Sequence, residues 1–332
     1  MKNILKDNIG FIVLAVVFSV LPFILPYKAL ATEVAIFSLA VIAFDLLLGY
    51  TGIMIFCQAS FFGTAAYITA LSVIHLKACL FTAIILGVGL AGILAFIFGF
   101  FITLRKGSYS VLLSLAFNEM IFFIAYQWKS VTGGDDGLVG VVRPVLEIPG
   151  LLKIPLDTEL RFYLLVLFFF LLSFFIIKCI IKSPFGKVLV AIRENESRAE
   201  AIGYNVRIFK LISFVICGLF IGLSGSLYAL FMNFVHISNV AFDTSVKIVM
   251  MEIIGGMGTL FGPILGAFLV VLASEKASAL WARWPMIMGF IFIFFVLFAR
   301  GGIWGLIMSL VEKKWKSQKQ GLVTKQNLKG GE

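Results

Sequence analysis

The chain has 332 residues, of which 13% are charged and 61% are hydrophobic, and its mean hydropathy is +1.09. A water-soluble domain keeps about a quarter of its residues charged. This composition excludes a soluble enzyme, a secreted disulfide scaffold and a disordered chain, and it indicates a chain that lies in a lipid bilayer. The net charge of +10 then bears on membrane orientation, and no nucleic-acid partner is expected.

Apolar runs long enough to cross a bilayer recur along the chain. A helix needs roughly 20 apolar residues to cross the hydrocarbon layer, where the backbone must satisfy its own hydrogen bonds. The apolar segment 246–280 is interrupted by glycines and Pro263, which predicts a re-entrant hairpin or two short helical pieces joined by a turn. The sequence therefore predicts an all-α, polytopic transmembrane bundle with about eight full spans, at 9–26, 32–49, 59–76, 79–104, 108–127, 162–181, 209–232 and 286–299.

The distribution of Lys and Arg predicts the orientation of these spans. With the N-terminus in the cytoplasm, most basic residues fall inside, so the C-terminus is also predicted to be cytoplasmic. The segment 128–161 then forms an external loop and 182–208 an internal one. One membrane domain is predicted at 1–311, followed by a basic, disordered cytoplasmic tail at 312–332.

The first apolar run has a second interpretation as a cleaved signal peptide. Lys2 and Lys6 precede it, and Ala29-Leu30-Ala31 resembles a cleavage site. Because the run is longer than the apolar part of a usual signal, we expect a retained first helix, ended by Pro22 and Pro26.

The internal loop predicts a docking helix. Ser183 suits an N-cap, Pro184 the first helical position and Gly203 a C-terminal stop, so 184–202 is expected to form one helix or two short ones. Its apolar residues recur at helical spacing. A helix that lies on the membrane surface is the alternative, but mixed acidic and basic charges favour a protein partner.

Glycine in a membrane helix serves either close packing or local unwinding that lines a cavity. Gly218, Gly222 and Gly225 suit close packing. Two other glycine-rich segments, 49–52 and 255–258, lie one in each half of the chain and suit unwinding at a transport pathway, with tight packing as the alternative.

Three ionisable residues lie inside the predicted spans, where each costs roughly 2.5–3.5 kcal/mol. Asp45 and Glu252 each lie one turn before a glycine-rich segment, and Glu119 is the third. A structural role between helices is an equal alternative, and no Arg or Lys is expected deep in the spans to pair with them. The candidate pathway residues are Asp45, Gly49, Gly52, Gln58, Ser60, Glu119, Glu252, Gly255, Gly256 and Gly258.

The sequence carries no motif for enzyme chemistry. Its two histidines, His75 and His236, have no metal-ligand spacing, and both a nucleophile elbow and a nucleotide-binding phosphate loop are missing. No catalytic residue, no metal and no bound cofactor are therefore expected.

Four blocks in chain order match one family: GYTG at 49–52 with FFG at 61–63 and AY at 66–67; TGG at 132–134 with DGL at 136–138; SPFG at 183–186 with AIRENE at 191–196 and AEAIG at 199–203; and GGMGT at 255–259 with GP at 262–263 and GA at 266–267. Over about 33–310 the chain resembles the permease subunits of bacterial branched-chain amino acid ABC importers, of the LivM type.

The resemblance implies a permease in the bacterial inner membrane that moves branched-chain or similar amino acids by alternating access. It implies three kinds of partner: a homologous second permease, two cytoplasmic ATP-binding subunits that use the ATP, and a periplasmic or lipid-anchored substrate-binding protein. It also assigns ATPase coupling to the internal loop, with candidate residues Phe185, Gly186, Arg193, Glu194, Glu196, Glu200, Ala201 and Gly203.

The chain departs from the family pattern at Cys57-Gln58, where Gly-His is common, and at Asp45 and Glu252, where uncharged residues are usual. These departures keep a permease for urea or short amides open as an alternative substrate class. Because the spans contain carboxylates, a self-sufficient ion-coupled secondary transporter is a further alternative. A membrane-embedded enzyme is disfavoured, since the arrangements of nucleophile, base and metal ligands are missing.

Overall fold

The computed structural model describes residues 2–105, 107–144, 146–148, 152–154, 158–280, 283–298, 301–306 and 308–309. The predicted tail at 312–332 lies outside the described residues. The helices are α1 (Lys2–Ile24), α2 (Lys28–Asp45), α3 (Gln58–Leu76), α4 (Leu80–Ile102), α5 (Ser108–Gln127), α6 (Lys129–Thr132), α7 (Glu159–Lys182), α8 (Pro184–Glu194), α9 (Glu196–Ala201), α10 (Val206–Met232), α11 (Phe242–Gly255), α12 (Gly262–Leu280) and α13 (Trp284–Phe298).

The predicted class, an all-α transmembrane bundle, is confirmed. Seven helices among the described residues are long and apolar enough to cross a membrane, and six of them coincide with predicted spans. The predicted spans 9–26 and 286–299 correspond to shorter apolar stretches, Gly10–Ile24 and Trp284–Leu297.

The seventh long helix is α12, which the sequence prediction had placed in a pair of short pieces. Only α11, with 14 residues, is short, whereas α12 has 19 residues. The breaking glycines are concentrated between Gly255 and Gly262, so most of the apolar sequence that follows continues as one helix.

The first helix continues through Pro22, which was expected to end it. A proline has no N–H, so the carbonyl four residues earlier, that of Phe18, loses its helical donor. The Tyr163 hydroxyl of α7 donates to this Phe18 carbonyl instead. The Phe18 ring also stacks on Phe170 of α7, with 4.6 Å between centroids, so α7 supports α1 where the proline weakens it.

The centre of the bundle combines the enclosed helix α2 with close packing of α3, α4 and α10. A Cβ atom added at Gly218 would lie 2.2 Å from Cβ of Ala95, and one at Gly225 would lie 1.9 Å from the Phe62 carbonyl oxygen. The close-packing role predicted for these α10 glycines is therefore present.

The segment between α5 and α7 contains three short strands, of which one pairs with the segment after α10. Strand β1 (Leu138–Val139) is antiparallel to β4 (Phe234–Val235), while β2 (Leu146–Ile148) and β3 (Leu152–Ile154) form a hairpin. Arg143 ties the segment to the end of α10, because its guanidinium donates to the carbonyls of Leu230 and Phe231 at 2.9 and 2.7 Å.

Candidate functional site

The first helix break lies between α2 and α3. After Asp45 the helix widens into a π-helical turn, Leu46–Tyr50, and the chain is then non-helical until Gln58. The freed backbone is satisfied locally: the Thr51 hydroxyl donates to the Leu46 carbonyl at 2.9 Å. Such π-turns are frequent at functional sites in helices.

The second break lies between α11 and α12. Gly256 and Gly258 adopt φ angles of +114° and +75°, which only glycine adopts without strain. The Thr259 hydroxyl donates to the Gly256 carbonyl at 2.8 Å and accepts from the Gly262 N–H at 3.2 Å. The reversal from α11 to α12 is thus built from its own backbone and one threonine.

The two breaks meet, and we call their contact the junction, made of Asp45, Gly49, Gly52, Glu252, Gly258 and Arg193. The Gly258 N–H donates to Oδ1 of Asp45 at 2.6 Å. A Cβ atom at Gly49 would lie 1.8 Å from Asp45 Oδ1 and 2.4 Å from the Gly258 nitrogen. Glycine at position 49 therefore permits the close approach of the two halves of the chain.

The junction encloses a carboxyl pair. Asp45 and Glu252 have no solvent exposure, and their carboxyl groups interact electrostatically. Asp45 Oδ2 and both Glu252 oxygens lack a donor among the described residues. In the same part of the chain, no group of three or more His, Cys, Asp or Glu residues could hold a metal ion.

A basic side chain reaches Asp45 from α8, which lies outside the spans. The Arg193 guanidinium donates through Nη1 to the Gly49 carbonyl and interacts electrostatically with Asp45. Its Cγ lies 2.8 Å from the position that a Cβ of Gly52 would occupy. Helical spacing placed Arg193 on the polar face of the loop, but periodicity does not show how far a long side chain reaches.

Gln58 and Ser60 lie in the buried first turn of α3, in a separate polar cluster. The Ser60 hydroxyl donates to Asn118 Oδ1 of α5 at 3.0 Å, and the Gln58 amide donates to the Ile55 carbonyl at 2.9 Å. Two serines that the sequence did not single out accept from backbone N–H groups at 2.9 Å each: Ser245 from Ala59 in the first turn of α3, and Ser114 from Phe56 in the non-helical segment just before it. Ser245 thus satisfies a donor that the N-terminus of α3 leaves free.

Glu119 is not brought together with the other two span carboxylates. It lies near the middle of α5 on an exposed face, and it has no hydrogen bond or ion pair with any described residue. The buried polar residue at this level of α5 is its neighbour Asn118, which also donates to the Val240 carbonyl at 3.2 Å.

The internal loop was predicted to form one helix or two short ones, and it forms two, α8 and α9. Ser183 Oγ accepts from the Gly186 N–H at 3.4 Å, and Asn195 Oδ1 caps α9 by accepting from the Arg198 N–H at 2.9 Å. The pair has a small core of its own, made of Val188, Ile192, Ala199, Val206 and Phe209.

The predicted coupling residues divide into two groups on this helix pair. Phe185 stacks on Phe209 at 5.4 Å and Glu196 pairs with Lys210 at 2.8 Å, so these two anchor the pair, as does Gly186, which packs against the Ile181 carbonyl. The solvent-exposed group is Arg193, Glu194, Glu200, Ala201 and Gly203, of which Arg193 also reaches the junction.

A cleft of about 260 Å³ adjoins the first break, at the end of the bundle that carries α8 and α9. Gly52 of the junction lies in its wall, whereas Asp45 and Glu252 do not line it. The polar side chains of its lining come from Thr103, Arg105, Ser110, Glu196 and Lys210.

Paired helix breaks, buried carboxylates and an attached amphipathic loop define a multi-pass membrane protein of the transporter class. A family model described as "Branched-chain amino acid transport system / permease component" matches residues 27–318. The chain belongs to this family.

Curated relatives agree with that assignment. The chain is 26% identical over 264 residues to the high-affinity branched-chain amino acid transport system permease protein LivM of Escherichia coli, covering 74% of this chain and 62% of the relative. A probable branched-chain amino acid transport permease protein LivM of Methanocaldococcus jannaschii is 27% identical over 197 residues, covering 57% and 54%. The chain thus spans less than two thirds of either relative. No solved structure matches it.

Proposed function

We propose that this chain is the permease subunit of an ATP-driven importer that moves branched-chain or similar amino acids across the bacterial inner membrane. The observation that carries the proposal is the helix pair α8–α9, which presents a polar surface outside the bundle and contacts a helix break inside it through Arg193. Such a link suits a permease whose pathway is switched from outside by rigid-body motion of a partner. The family and the names of its relatives support the substrate class.

In this proposal the exposed residues of α8–α9 dock two separate cytoplasmic ATP-binding subunits. These subunits use the ATP, and this chain itself binds no cofactor and is not an enzyme. Both termini lie in the cytoplasm, and a periplasmic or lipid-anchored substrate-binding protein delivers its cargo to the opposite side, near the segment between α5 and α7.

A second, homologous permease covers the exposed face of α5. We call this face the α5 stripe, and it consists of Tyr109, Leu112, Ala116, Glu119, Met120 and Phe123. A carboxylate that faces lipid costs roughly 2.5–3.5 kcal/mol on insertion scales. Because Glu119 finds no partner among the described residues, a donor from a second permease would remove that cost.

The direct test is a gentle detergent pull-down of the tagged chain from its native membranes, followed by mass spectrometry and reconstitution. The expected result is recovery of an ATPase and a second permease, with leucine uptake that requires ATP. Uptake of urea or acetamide in place of leucine would move the proposal to the amide class. Uptake without ATP that follows a proton or sodium gradient would contradict it and favour an ion-coupled transporter.

The docking surface has its own test, Glu194→Arg. Glu194 is exposed on α8, and we expect its charge reversal to lower ATPase recovery about tenfold. Two like charges brought together at an interface weaken the free energy of binding by about 1 kcal/mol or more. The matched control is Asp135→Arg, an equal reversal at an exposed residue between α5 and α7. Equal recovery of the ATPase with both variants would contradict the docking assignment.

A further inference from the structure

The contacts at the junction point to a role for Arg193 that differs from docking. Its guanidinium donates to the Gly49 carbonyl in the first break. Its Nη1 atom also lies 3.0 Å from the position that a Cβ of Gly258 would occupy in the second break. One side chain of the loop is therefore in contact with both breaks at the point where they meet.

Arg193 belongs to a packed unit that includes α9 and the start of α10. It lies in the last turn of α8, whose apolar face joins α9 and the start of α10 through Val188, Ile192 and Ala199. Because this small core is shared by the helix pair, a displacement of α8–α9 displaces the Arg193 backbone with it. The guanidinium would then be pulled from the Gly49 carbonyl.

The contact of Arg193 with the junction is electrostatic as well as steric. Asp45 is enclosed with Glu252, and Arg193 is the basic residue that interacts electrostatically with Asp45. Guanidinium donates to a carbonyl and faces a carboxylate at once, because its five N–H groups form a planar fork. Withdrawing Arg193 would leave the Gly49 carbonyl without this donor and Asp45 without its positive neighbour.

We propose that Arg193 is a latch that holds the two helix breaks together, and that withdrawing it opens the junction between the carboxyl pair and the adjoining cleft. The motion that withdraws it rests on the proposed function, in which ATPase subunits move α8–α9. The latch itself is a property of this chain and is testable without transport.

Two native cysteines report on the opening. Cys57 and Cys217 have no solvent exposure; Cys57 is the last residue of the first break, and Cys217 lies on the buried face of α10. Cys79 and Cys179 are exposed and would be replaced by serine. The full-length chain in lipid nanodiscs would then be treated with a membrane-impermeant maleimide, and the modification of Cys57 and Cys217 would be followed by mass spectrometry.

In this background we expect slow labelling with Arg193 intact and labelling at least about tenfold faster in Arg193→Ala. Loss of one hydrogen bond from a charged group is expected to shift the opening equilibrium by that factor. Asp45→Asn should also raise the rate, because it removes the same charge interaction from the other side. The matched control is Lys187→Ala, which removes a positive charge from the exposed face of α8 and should leave labelling slow.

The proposal is overturned if Arg193→Ala and Asp45→Asn both elute as folded protein and label no faster than the background. It is overturned equally if Lys187→Ala labels as fast as Arg193→Ala, since general loosening of α8 would then explain the result. In the assembled importer, ATP turnover should speed labelling of the chain with Arg193 intact. Failure of that step alone would contradict the proposed ATPase coupling and leave the latch in place.

Discussion

The junction and the α5 stripe treat a carboxylate inside an apolar span in opposite ways. In the helix that contains Asp45, 94% of the residues in its most apolar 18-residue stretch are buried within the chain. The corresponding share is 28% for α5, which carries Glu119. Asp45 accepts from the Gly258 N–H and faces Arg193, whereas Glu119 points away from the described bundle. The difference teaches that Asp45 has its partners inside this chain, whereas Glu119 is exposed where the proposed second permease would bind.

The same contrast explains the distribution of glycine. At the junction, backbone segments of two breaks approach so closely that side chains are excluded, as the 2.4 Å from a Gly49 Cβ to the Gly258 nitrogen shows. On exposed helix faces glycine meets no such constraint, and a Cβ at Gly89 of α4 would have no heavy atom within 4 Å. The two positions therefore form a matched pair of test sites.

Gly49→Ala should give the largest effect. Its methyl group would overlap Asp45 Oδ1 and the Gly258 nitrogen, so the breaks must separate, at a cost of about 3 kcal/mol in the free energy of unfolding. The measurement is unfolding by titration from mild detergent into SDS. Gly89→Ala is the control and should unfold as the unsubstituted chain does; equal stability of both variants would show that the breaks are not in contact.

Asp45→Asn should have the next largest effect on the isolated chain. The amide can still accept from the Gly258 N–H, but it loses the charge that faces Arg193, which is worth about 1.5–3 kcal/mol for a hydrogen bond with a charged group. Glu119→Gln, measured in the same titration, should leave the isolated chain unchanged. A reversed order of the two variants would contradict the division between internal and external carboxylates.

The sequence predicted the positions of the helix breaks that form the junction, but not most of the contacts between residues that are distant in the chain. Apolar length fixed the positions of the spans, and glycine clusters one turn after Asp45 and Glu252 located both breaks. One break in each half of the chain suggested that the two meet. The particular contact between Asp45 and Gly258 has no local signal in the sequence. Arg193 was missed as a partner because helical periodicity describes a face and not the reach of a side chain.

Burial of a span residue was the other quantity that the sequence could not supply. Asn118 and Glu119 are adjacent on α5, yet Asn118 is buried and Glu119 is exposed. In an apolar helix both faces look alike in sequence, so periodicity does not distinguish the face against the bundle from the face against lipid or a partner.

Glu119→Gln should weaken pairing with the second permease about tenfold, because hydrogen bonds to an ionised acceptor are roughly twice as strong as neutral ones. Recovery of the second permease in a pull-down measures it. Leu112→Ala tests the apolar part of the α5 stripe, and its control is Ile93→Ala on α4; the two side chains are 62% and 58% exposed. Pairing that is insensitive to Glu119→Gln and Leu112→Ala would place the interface on another face.

The smallest effect is expected at a further carboxylate, Glu33 of α2, whose exposure lies between that of Asp45 and that of Glu119. Lys247 Nζ donates to Glu33 Oε1 at 3.2 Å and lies 4.0 Å from the centroid of the Phe37 ring. Both charged side chains are about a quarter exposed, at 28% and 25%, so solvent weakens their attraction and the pair should contribute about 0.2–1 kcal/mol.

A double-mutant cycle with Glu33→Gln and Lys247→Met measures that coupling in the same SDS titration. We expect it to be smaller than the coupling of Arg193 with Asp45, measured in a parallel cycle with Arg193→Ala and Asp45→Asn. Asp45 has no solvent exposure, although Arg193 itself is exposed, whereas both members of the Glu33–Lys247 pair are partly exposed. If the Glu33–Lys247 coupling were the larger of the two, burial would not be what sets the strength of the carboxylate contacts in this bundle. The inference that the buried Asp45 makes the stronger contact at the junction would then be wrong.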